Sequence, residues 1–447
     1  MTTTSLAIWL LIQETRALLT RLDRVKSFAL VEAMVPAAAF SPMAQMVIER
    51  QLALRKREVR QMVYSYLQWL HSEQGQQATA AEAQRRFTFL RLRFNAVLSQ
   101  FDIFADVLTQ RSEHETGVWL AGLDAVAADA LALPGAYYTP PAVICYLDRG
   151  HGAAIRRART RLPGGGENPV AIIRVPRERM VGSGIASSLV HEVGHQGAAL
   201  LDLVRSLRPL LIGLQRGGGD AAVTWQLWER WISEILADFW AVARVGVAAP
   251  LGLMGVVSLP RAFVFRTSLD DPHPIPWIRV KLSCALGNAL YPHPQWNTLA
   301  AIWESYYPVA GLAAEKQRLL LQLEASIPAF VALLVNHRPQ ALRGQSLVEA
   351  LAVAERQPAR LQAYFAQWRR SPRQMRQTPP ALAFAIIGQA RADGKLGPEV
   401  ESRLVGKLLT DWALRSALDM STSCATQSNS CQTSVTYSVA AQAASLD

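Results

Sequence analysis

Hydrophobic residues along most of the chain recur with the spacing of amphipathic helices. Apolar side chains three or four positions apart share one helix face, since each residue turns a helix by about 100°. The first 130 residues contain three such sets: Leu18, Leu22, Val25 and Ala29; Met46, Val47, Leu52 and Leu54; and Met62, Tyr66, Leu67 and Leu70. The spacing therefore predicts a helical N-terminal region over residues 1–130.

The pattern changes after residue 130. The apolar, β-branched runs 141–147 and 170–175 predict two strands, separated by a Gly- and Pro-rich loop. Helical spacing resumes around residue 184 and again over 221–245, whereas 250–268 is apolar and predicted to be loop-like. We therefore predict an α+β fold that is predominantly helical, with a compact core and a small sheet over residues 131–285.

The remaining residues predict a helical C-terminal region over 286–418 and then a tail. The tail, 419–447, is rich in Ser, Thr, Ala and Gln and nearly uncharged, a composition typical of disorder. The chain has 447 residues, enough for two or three domains.

The chain is rather hydrophobic for a soluble protein. Half of the residues are hydrophobic and the mean hydropathy is +0.11, and the excess is mostly Ala and Leu, which suits densely packed helices. The longest apolar runs, 5–12 and 328–335, fall short of the ~20 residues that cross a membrane. The N-terminus lacks the basic start and cleavage site of a signal peptide. We expect no transmembrane segment, and either a cytoplasmic location or export without a cleaved leader.

Basic residues exceed acidic ones, with a formal net charge of +11. Arg-rich stretches occur at 55–57, 85–93 and 156–161, but none forms a nucleic-acid recognition motif with aromatic residues. We therefore predict no nucleic-acid partner, while anionic membranes or acidic proteins stay open. The four cysteines do not form a disulfide framework, and Cys145 and Cys284 are expected to be buried thiols.

The best candidate for chemistry is the segment His191-Glu192-Val193-Gly194-His195. On a helix, residues four positions apart share a face, so both imidazoles can hold one Zn²⁺. Glu192 follows the first histidine, where its carboxylate can take a proton from a zinc-bound water and pass it to the leaving amine. The same spacing arises by chance in Ala- and Leu-rich helices, which leaves two polar helix-face histidines as the alternative.

A third ligand is available in residues 231–240. A catalytic zinc takes three protein ligands and keeps one position open. Glu234 and Asp238 lie four positions apart on an otherwise apolar helix, where two buried carboxylates are unfavourable unless a metal or cation compensates them. We expect Glu234 to be the third ligand and Asp238 to accept the free N–H of a ligand histidine. The alternative is a capping or salt-bridging pair on an exposed helix.

A Pro-rich loop beyond this helix contains His273, and Arg279 falls just inside the helix that should follow. A histidine near a zinc site can donate to the oxyanion of a tetrahedral intermediate. An arginine nearby can orient it or pair with a carboxylate. An ordinary turn with a surface histidine is the alternative.

Three motifs thus occur in order: His191-Glu-x-x-His195, Glu234-x-x-Ala-Asp238 and His273-Pro-x-x-x-x-Arg279. This set resembles the gluzincin zinc metallopeptidases, most of all the branch of the CAAX-prenyl proteases and the heat-shock membrane peptidases. The resemblance covers roughly residues 135–285. Those relatives are integral membrane proteins, whereas this chain lacks a convincing spanning segment, so the family informs the chemistry and not the substrate.

The resemblance implies a zincin peptidase core with one Zn²⁺. It implies His191, His195 and Glu234 as zinc ligands and Glu192 as the general base. It implies Asp238 as the partner of a ligand histidine, and His273 with Arg279 as supports of substrate or oxyanion. Strands just before the zinc helix are where such peptidases place an edge strand over the cleft, to which an extended substrate can add.

The leading hypothesis is a soluble zinc-dependent metalloendopeptidase that acts on a protein or peptide substrate. A second hypothesis is a zinc-stabilised scaffold or binding module whose helical flanks dock a protein partner. A third is a protease effector delivered by a machinery that engages the flanks or the tail.

Overall fold

The structure is a computed structural model that describes residues 2–28, 33–149, 152–177, 182–267 and 271–419. These residues are predominantly helical and form one three-stranded sheet, so the predicted α+β class is confirmed. They fall in two compact units. The first takes its residues from Met1–Ala121, Ala158–Ala171 and Ala413–Asp447, and the second from Gly122–Arg157 and Ile172–Trp412. The predicted disordered tail lies outside the described residues from position 420 onward.

The first unit is helical. Its helices are α1 (Thr3–Arg24), α2 (Pro42–His71), α3 (Glu73–Gln77), α4 (Ala80–Thr109) and the first part of α5 (His114–Leu131). Four of them begin at a capping side chain: Thr2, Ser41, Ser72 and Thr79 each accept a hydrogen bond from the main-chain N–H three residues later. The long helices α1, α2 and α4 pack against one another through apolar faces.

The buried face of α2 differs from the predicted one. Met46, Leu54 and Met62 are 57%, 43% and 40% exposed, whereas Ile48 and Val63 are buried. Apolar residues lie on more than one side of α2, so their spacing is compatible with two alternative buried faces. Packing against α1 and α4 selects the face that spacing alone did not identify.

The sheet lies in the second unit and contains β1 (Val143–Asp148), β2 (Ala154–Arg156) and β3 (Ala171–Pro176) in the order β1-β3-β2. Strands β1 and β3 match the two predicted runs. Strand β2 was not predicted, because three residues are too few to show alternation. It pairs antiparallel with β3, with Ile155 opposite Ile173, and forms an edge of the sheet.

The rest of the second unit is helical. In chain order its helices are α6 (Gly184–Leu200), α7 (Leu203–Leu214), α8 (Gly219–Val245), α9 (Ala248–Val257), α10 (Arg261–Val264), α11 (Pro276–Leu290), α12 (Gln295–Tyr306), α13 (Ala314–Asn336), α14 (Leu347–Ala350), α15 (Pro358–Arg370), α16 (Pro372–Gln377), α17 (Pro380–Ala392) and most of α18 (398–419). The expected buried thiols are confirmed, since Cys145 on β1 and Cys284 on α11 are buried and form no disulfide within the described chain.

Residues 250–268, predicted to be loop-like, contain the helices α9 and α10. The prediction failed because Pro250 and two glycines weaken the helical signal of this segment. In the structure Pro250 occupies the first turn of α9, where its missing N–H breaks no helical hydrogen bond.

One helix among the described residues, α13, is long and apolar enough to cross a membrane. Its most apolar 18-residue window has a mean hydropathy of 1.7, and 33% of that window is buried. A core helix of a soluble protein passes the same test of length and composition. The expected absence of a spanning segment therefore stays a prediction.

Candidate metal centre and catalytic cleft

Helices α6 and α8 make the most extensive contact between two elements of the described chain. Two glycines of α6 permit the approach. A Cβ added to Gly194 would lie 2.8 Å from Ala237 Cα, and one added to Gly197 would lie 2.5 Å from the Trp240 ring. Such distances are shorter than real Cβ contacts, so these positions require glycine. The close approach brings the polar face of α6 against the polar face of α8.

The three predicted ligands come together across this contact. Glu234 Oε2 lies 3.2 Å from His191 Nε2, and Glu234 Oε1 lies 3.4 Å from His195 Nε2. One ligand atom from each of the three residues falls within 4.8 Å of the others. The side chains are 12–15% exposed, so the cluster is largely withdrawn from solvent.

Asp238 holds His191 from the opposite side of the ring. Its Oδ1 lies 2.8 Å from His191 Nδ1, a contact that favours a proton on Nδ1, so that in the neutral ring the lone pair of Nε2 faces Glu234. Arg279 donates to both oxygens of the same carboxylate, from Nε at 2.7 Å and from Nη2 at 2.9 Å. Arg279 is therefore engaged with Asp238, which was one of its two expected roles.

His195 has a weaker partner. Ser233 Oγ lies 3.4 Å from His195 Nδ1. Because Ser233 directly precedes Glu234 on α8, one short segment offers both a ligand and a contact to a second ligand. Nothing in the sequence pattern distinguished this serine from the many others in the chain.

Glu192 lies at the edge of the ligand cluster and is 8% exposed. Together with His191, Asp238, His273 and Arg279 it lines a cavity of about 140 Å³, the catalytic cavity. Burial raises the pKa of the Glu192 carboxyl; the charges of His191 and His195 oppose that rise and the charge of Glu234 adds to it. A carboxylate with a raised pKa next to a metal-ligand cluster is suited to accept and return a proton.

The loop before α11 places His273 beside the cluster. His273 Nε2 lies 3.2 Å from Glu234 Oε2, and its side chain is 45% exposed. Asp271 Oδ1 accepts the main-chain N–H of His273 at 3.0 Å and lies 2.8 Å from His273 Nδ1. Arg266 Nη2 in turn donates to Asp271 Oδ2 at 2.6 Å. This tether fixes the ring so that Nε2 faces the cavity.

Other walls of the catalytic cavity are small or apolar. They include Ser187 and Ser188 of α6, Ala249 and Leu253 of α9, and Ala153, which directly precedes the edge strand β2. The end of the sheet at β2 therefore borders this cavity. An edge strand that binds an extended substrate over the cleft stays a prediction, and β2 was not one of the predicted strands.

Charge compensation accounts for the pKa values inside the cluster. Burial would lower the pKa of His191, but the hydrogen bond and charge of Asp238, with the contact to Glu234, raise it to about 9. Burial would raise the pKa of Asp238, yet the charge of Arg279 and the hydrogen bond with His191 hold it well below its usual range. The contacts of Glu234 with both imidazoles likewise lower the pKa of that carboxyl.

The donor set fits a divalent metal. Two ligand atoms that each lie about 2.1 Å from one tetrahedral ion are roughly 3.4 Å apart, which matches the contacts of Glu234 with the two imidazoles. Glu234 Oε2 is buried and forms no well-aligned hydrogen bond within the described chain, although His191 Nε2 and His273 Nε2 each lie 3.2 Å away. A buried carboxylate oxygen that faces imidazole nitrogens is a chemical environment that a cation satisfies.

Searches of family models, curated proteins and solved structures found no match to the chain.

All seven residues singled out in the sequence lie together in the second unit: His191, Glu192, His195, Glu234, Asp238, His273 and Arg279. Sequence reasoning missed three further participants. Ser233 contacts a ligand histidine, and Asp271 with Arg266 tethers His273. For Asp271 a signal existed, since an Asp two positions before a His in a turn readily accepts its main-chain N–H.

Proposed function

We propose that the protein is a zinc-dependent metalloendopeptidase. The observation that carries the proposal is one shared cavity: the carboxylate of Glu192 lines the same cavity as His191, which forms a ligand cluster with His195 and Glu234. Two histidines and one carboxylate are a donor set typical of catalytic zinc. When bound, Zn²⁺ would polarise the scissile carbonyl and lower the pKa of a water.

Glu192 would act as general base and then as general acid. Its buried carboxylate would take a proton from the attacking water and deliver it to the leaving amine nitrogen. Burial raises its pKa, and this makes the first transfer, the uptake of a proton from the water, more favourable than it would be for an exposed glutamate.

His273 would support the oxyanion. Because Asp271 occupies Nδ1, the Nε2 position is the one available to donate a hydrogen bond toward the cavity. Arg279 and Asp238 would act indirectly, by holding His191 in the tautomer whose Nε2 can coordinate a metal.

The presence of a base in the cavity favours an enzyme over a zinc-stabilised scaffold. A purely structural zinc site is usually closed by four protein ligands. Here three ligands converge, and the adjoining cavity is lined by a carboxylate and a histidine instead of a fourth ligand.

The test is a comparison of wild type with Glu192→Gln. Metal content is measured by elemental analysis, which also separates zinc from iron, another metal held by two histidines and one carboxylate. Cleavage of an unfolded protein is followed by mass spectrometry. We expect about one zinc per chain in both proteins and a loss of cleavage of about 10²–10⁴-fold in Glu192→Gln.

Cleavage by Glu192→Gln at the wild-type rate would refute the mechanism. Absence of any bound metal after zinc is supplied would refute the site. If the protein binds zinc but cleaves no substrate, the scaffold hypothesis would replace the peptidase hypothesis.

A further inference from the structure

A second cavity lies beside His273, on the side away from the catalytic cavity walls formed by α6 and α9. We call it the side pocket. Its volume is about 110 Å³, and its apolar walls include Val223, Leu227, Trp231, Ile275 and Leu319. Its polar wall consists of His273, Asp271, Arg266 and Thr267.

The side pocket and the metal-ligand cluster share one helix face. Val223, Leu227 and Trp231 are spaced by four residues along α8, and Glu234 follows three residues later. Residues at this spacing stack along one side of a helix. The same side of α8 therefore provides apolar walls at its N-terminal part and a metal-ligand carboxylate one turn further on.

His273 belongs to both cavities. Its Nε2 faces Glu234, while the residues that follow it in the loop and in the first turn of α11 line the side pocket. A peptide whose carbonyl oxygen approaches His273 would thus carry a neighbouring side chain past the opening of the side pocket.

We propose that the side pocket binds one apolar side chain of the substrate, next to the scissile bond, and so determines cleavage preference. The inference rests on the proposed peptidase function and specifies its substrate class.

The size and charge of the side pocket limit which substrate side chains it can bind. A dry apolar cavity of about 150 Å³ accommodates a benzene ring, so about 110 Å³ favours branched aliphatic side chains over large aromatic ones. Arg266 and Asp271 neutralise each other at the polar wall through a 2.6 Å ion pair. Among the described residues of that wall, a charged substrate side chain would find no unpaired counter-charge and would lose its hydration.

The experiment is cleavage-site profiling. A peptide library is digested with zinc-loaded wild type, and the cut sites are read by mass spectrometry. We expect enrichment of Leu, Ile, Val or Met at one position adjoining the cut bond. For matched peptides with Leu or Ala there, kcat/KM should differ by about tenfold or more. A profile without apolar preference would overturn the proposal.

Variants then connect the preference to the pocket. Leu227→Trp fills it and should abolish the advantage of the Leu peptide, while Leu227→Ala enlarges it and should shift the preference toward Phe. Leu321→Trp is the matched control, because Leu321 lies exposed on α13 and does not line the pocket. If Leu227→Trp does not fold, the test rests on whether Leu227→Ala shifts the cleavage preference toward Phe. An unchanged profile in the variants at position 227 would refute the assignment.

A binding measurement distinguishes failure of the proposed peptidase function from failure of the side-pocket proposal. If the zinc-loaded wild type cuts no peptide, the same Leu and Ala peptides are titrated by calorimetry into wild type and Leu227→Trp. Preferential binding of the Leu peptide that disappears in Leu227→Trp would support the pocket without a peptidase. Equal binding of both peptides would overturn it.

Discussion

Two helix pairs in this protein are built from similar long helices but bury different chemistry. In the first unit, α2 and α4 pack against each other, and their buried side chains are mostly apolar, for example Leu52, Val63, Phe87 and Phe94. In the second unit, α6 and α8 meet through a face that contains two histidines and two carboxylates. The first contact stabilises by removing apolar area from water, at roughly 25 cal/mol per Å².

The second contact is costly by the same reasoning. Ionised groups lose hydration on burial, and their mutual attraction often does no more than offset that loss. The first pair buries scattered polar groups too: Tyr66 and Gln100 donate to main-chain carbonyls, while Gln100 Oε1 has no hydrogen-bond partner among the described residues. The second pair instead gathers two histidines and two carboxylates at one place. This concentration of groups that can bind a metal distinguishes the second contact from the first.

The largest expected effect is on zinc affinity, which should depend on the second helix pair and not on the first. Glu234→Gln removes a ligand charge, so zinc affinity should fall by more than about 100-fold, since loss of an outer partner alone costs about 10–100-fold. Leu52→Ala in α2 should leave zinc affinity unchanged and lower the free energy of unfolding by about 2–5 kcal/mol. Competition with a chelator and denaturant titration measure the two quantities. Wild-type zinc affinity in Glu234→Gln would contradict the assignment.

The next effect is a pH dependence that only the second pair should show. A proton on His191, whose pKa is raised to about 9, must leave before a metal binds. Zinc affinity should rise by up to about tenfold per pH unit between about pH 7 and 9. Without zinc, the free energy of unfolding should change with pH in the opposite direction. The stability from protonated His191 is complete below its unfolded pKa of about 6.5 and is lost as the pH rises through about 9.

Asp238→Asn is the control for this pH dependence. The charge and hydrogen bond of Asp238 are what raise the pKa of His191. With an uncharged amide, that pKa should return toward its ordinary range, and zinc affinity should level off at a lower pH. Parallel affinity curves for wild type and Asp238→Asn would show that Asp238 does not set the protonation of His191.

Much of the second pair was predictable from sequence because helix periodicity is a local property. The spacing of His191 with His195, and of Glu234 with Asp238, places each pair on one face whatever the rest of the chain does. Local sequence also predicted β1 and β3. The same reasoning misplaced the buried face of α2, where Met46 and Leu54 are exposed, because that choice depends on neighbouring helices.

Features that arise only from contacts between distant segments were not predictable. The side pocket combines residues from α8, the His273 loop and α13, and no single segment contains its pattern. The short strand β2 exists because β3 pairs with it. Ser233 becomes relevant only because α6 approaches α8 closely enough to bring His195 within 3.4 Å.

That close approach can be tested with matched glycine variants. Gly194→Ala places a methyl group 2.8 Å from Ala237 Cα, so the helices must separate. We expect a loss of about 1–3 kcal/mol in the free energy of unfolding and weaker zinc binding. Gly213→Ala on α7 meets no atom within 4 Å and should stabilise by about 0.5–1 kcal/mol. Equal effects of the two variants on stability would show that α6 and α8 do not need this glycine.

The smallest expected effect concerns His273, a site residue on a loop outside both helix pairs. His273 is half exposed and depends on a local tether, not on burial, for its orientation. Asp271→Ala removes the acceptor of both its main-chain N–H and its ring, so the ring should lose its fixed direction. We expect kcat to fall by about tenfold, as for the loss of other orienting partners, with KM and zinc content nearly unchanged.

Asp271→Asn gives the decisive comparison for that tether. The amide keeps an oxygen that can accept both contacts but loses the charge that pairs with Arg266. Recovery of most of the lost kcat in Asp271→Asn would show that the hydrogen bonds orient His273 and that the charge is secondary. A loss of zinc in Asp271→Ala would instead mean that the loop supports the ligand cluster. In that case the His273 loop and the pair of α6 and α8 could not be treated as separate parts of the site.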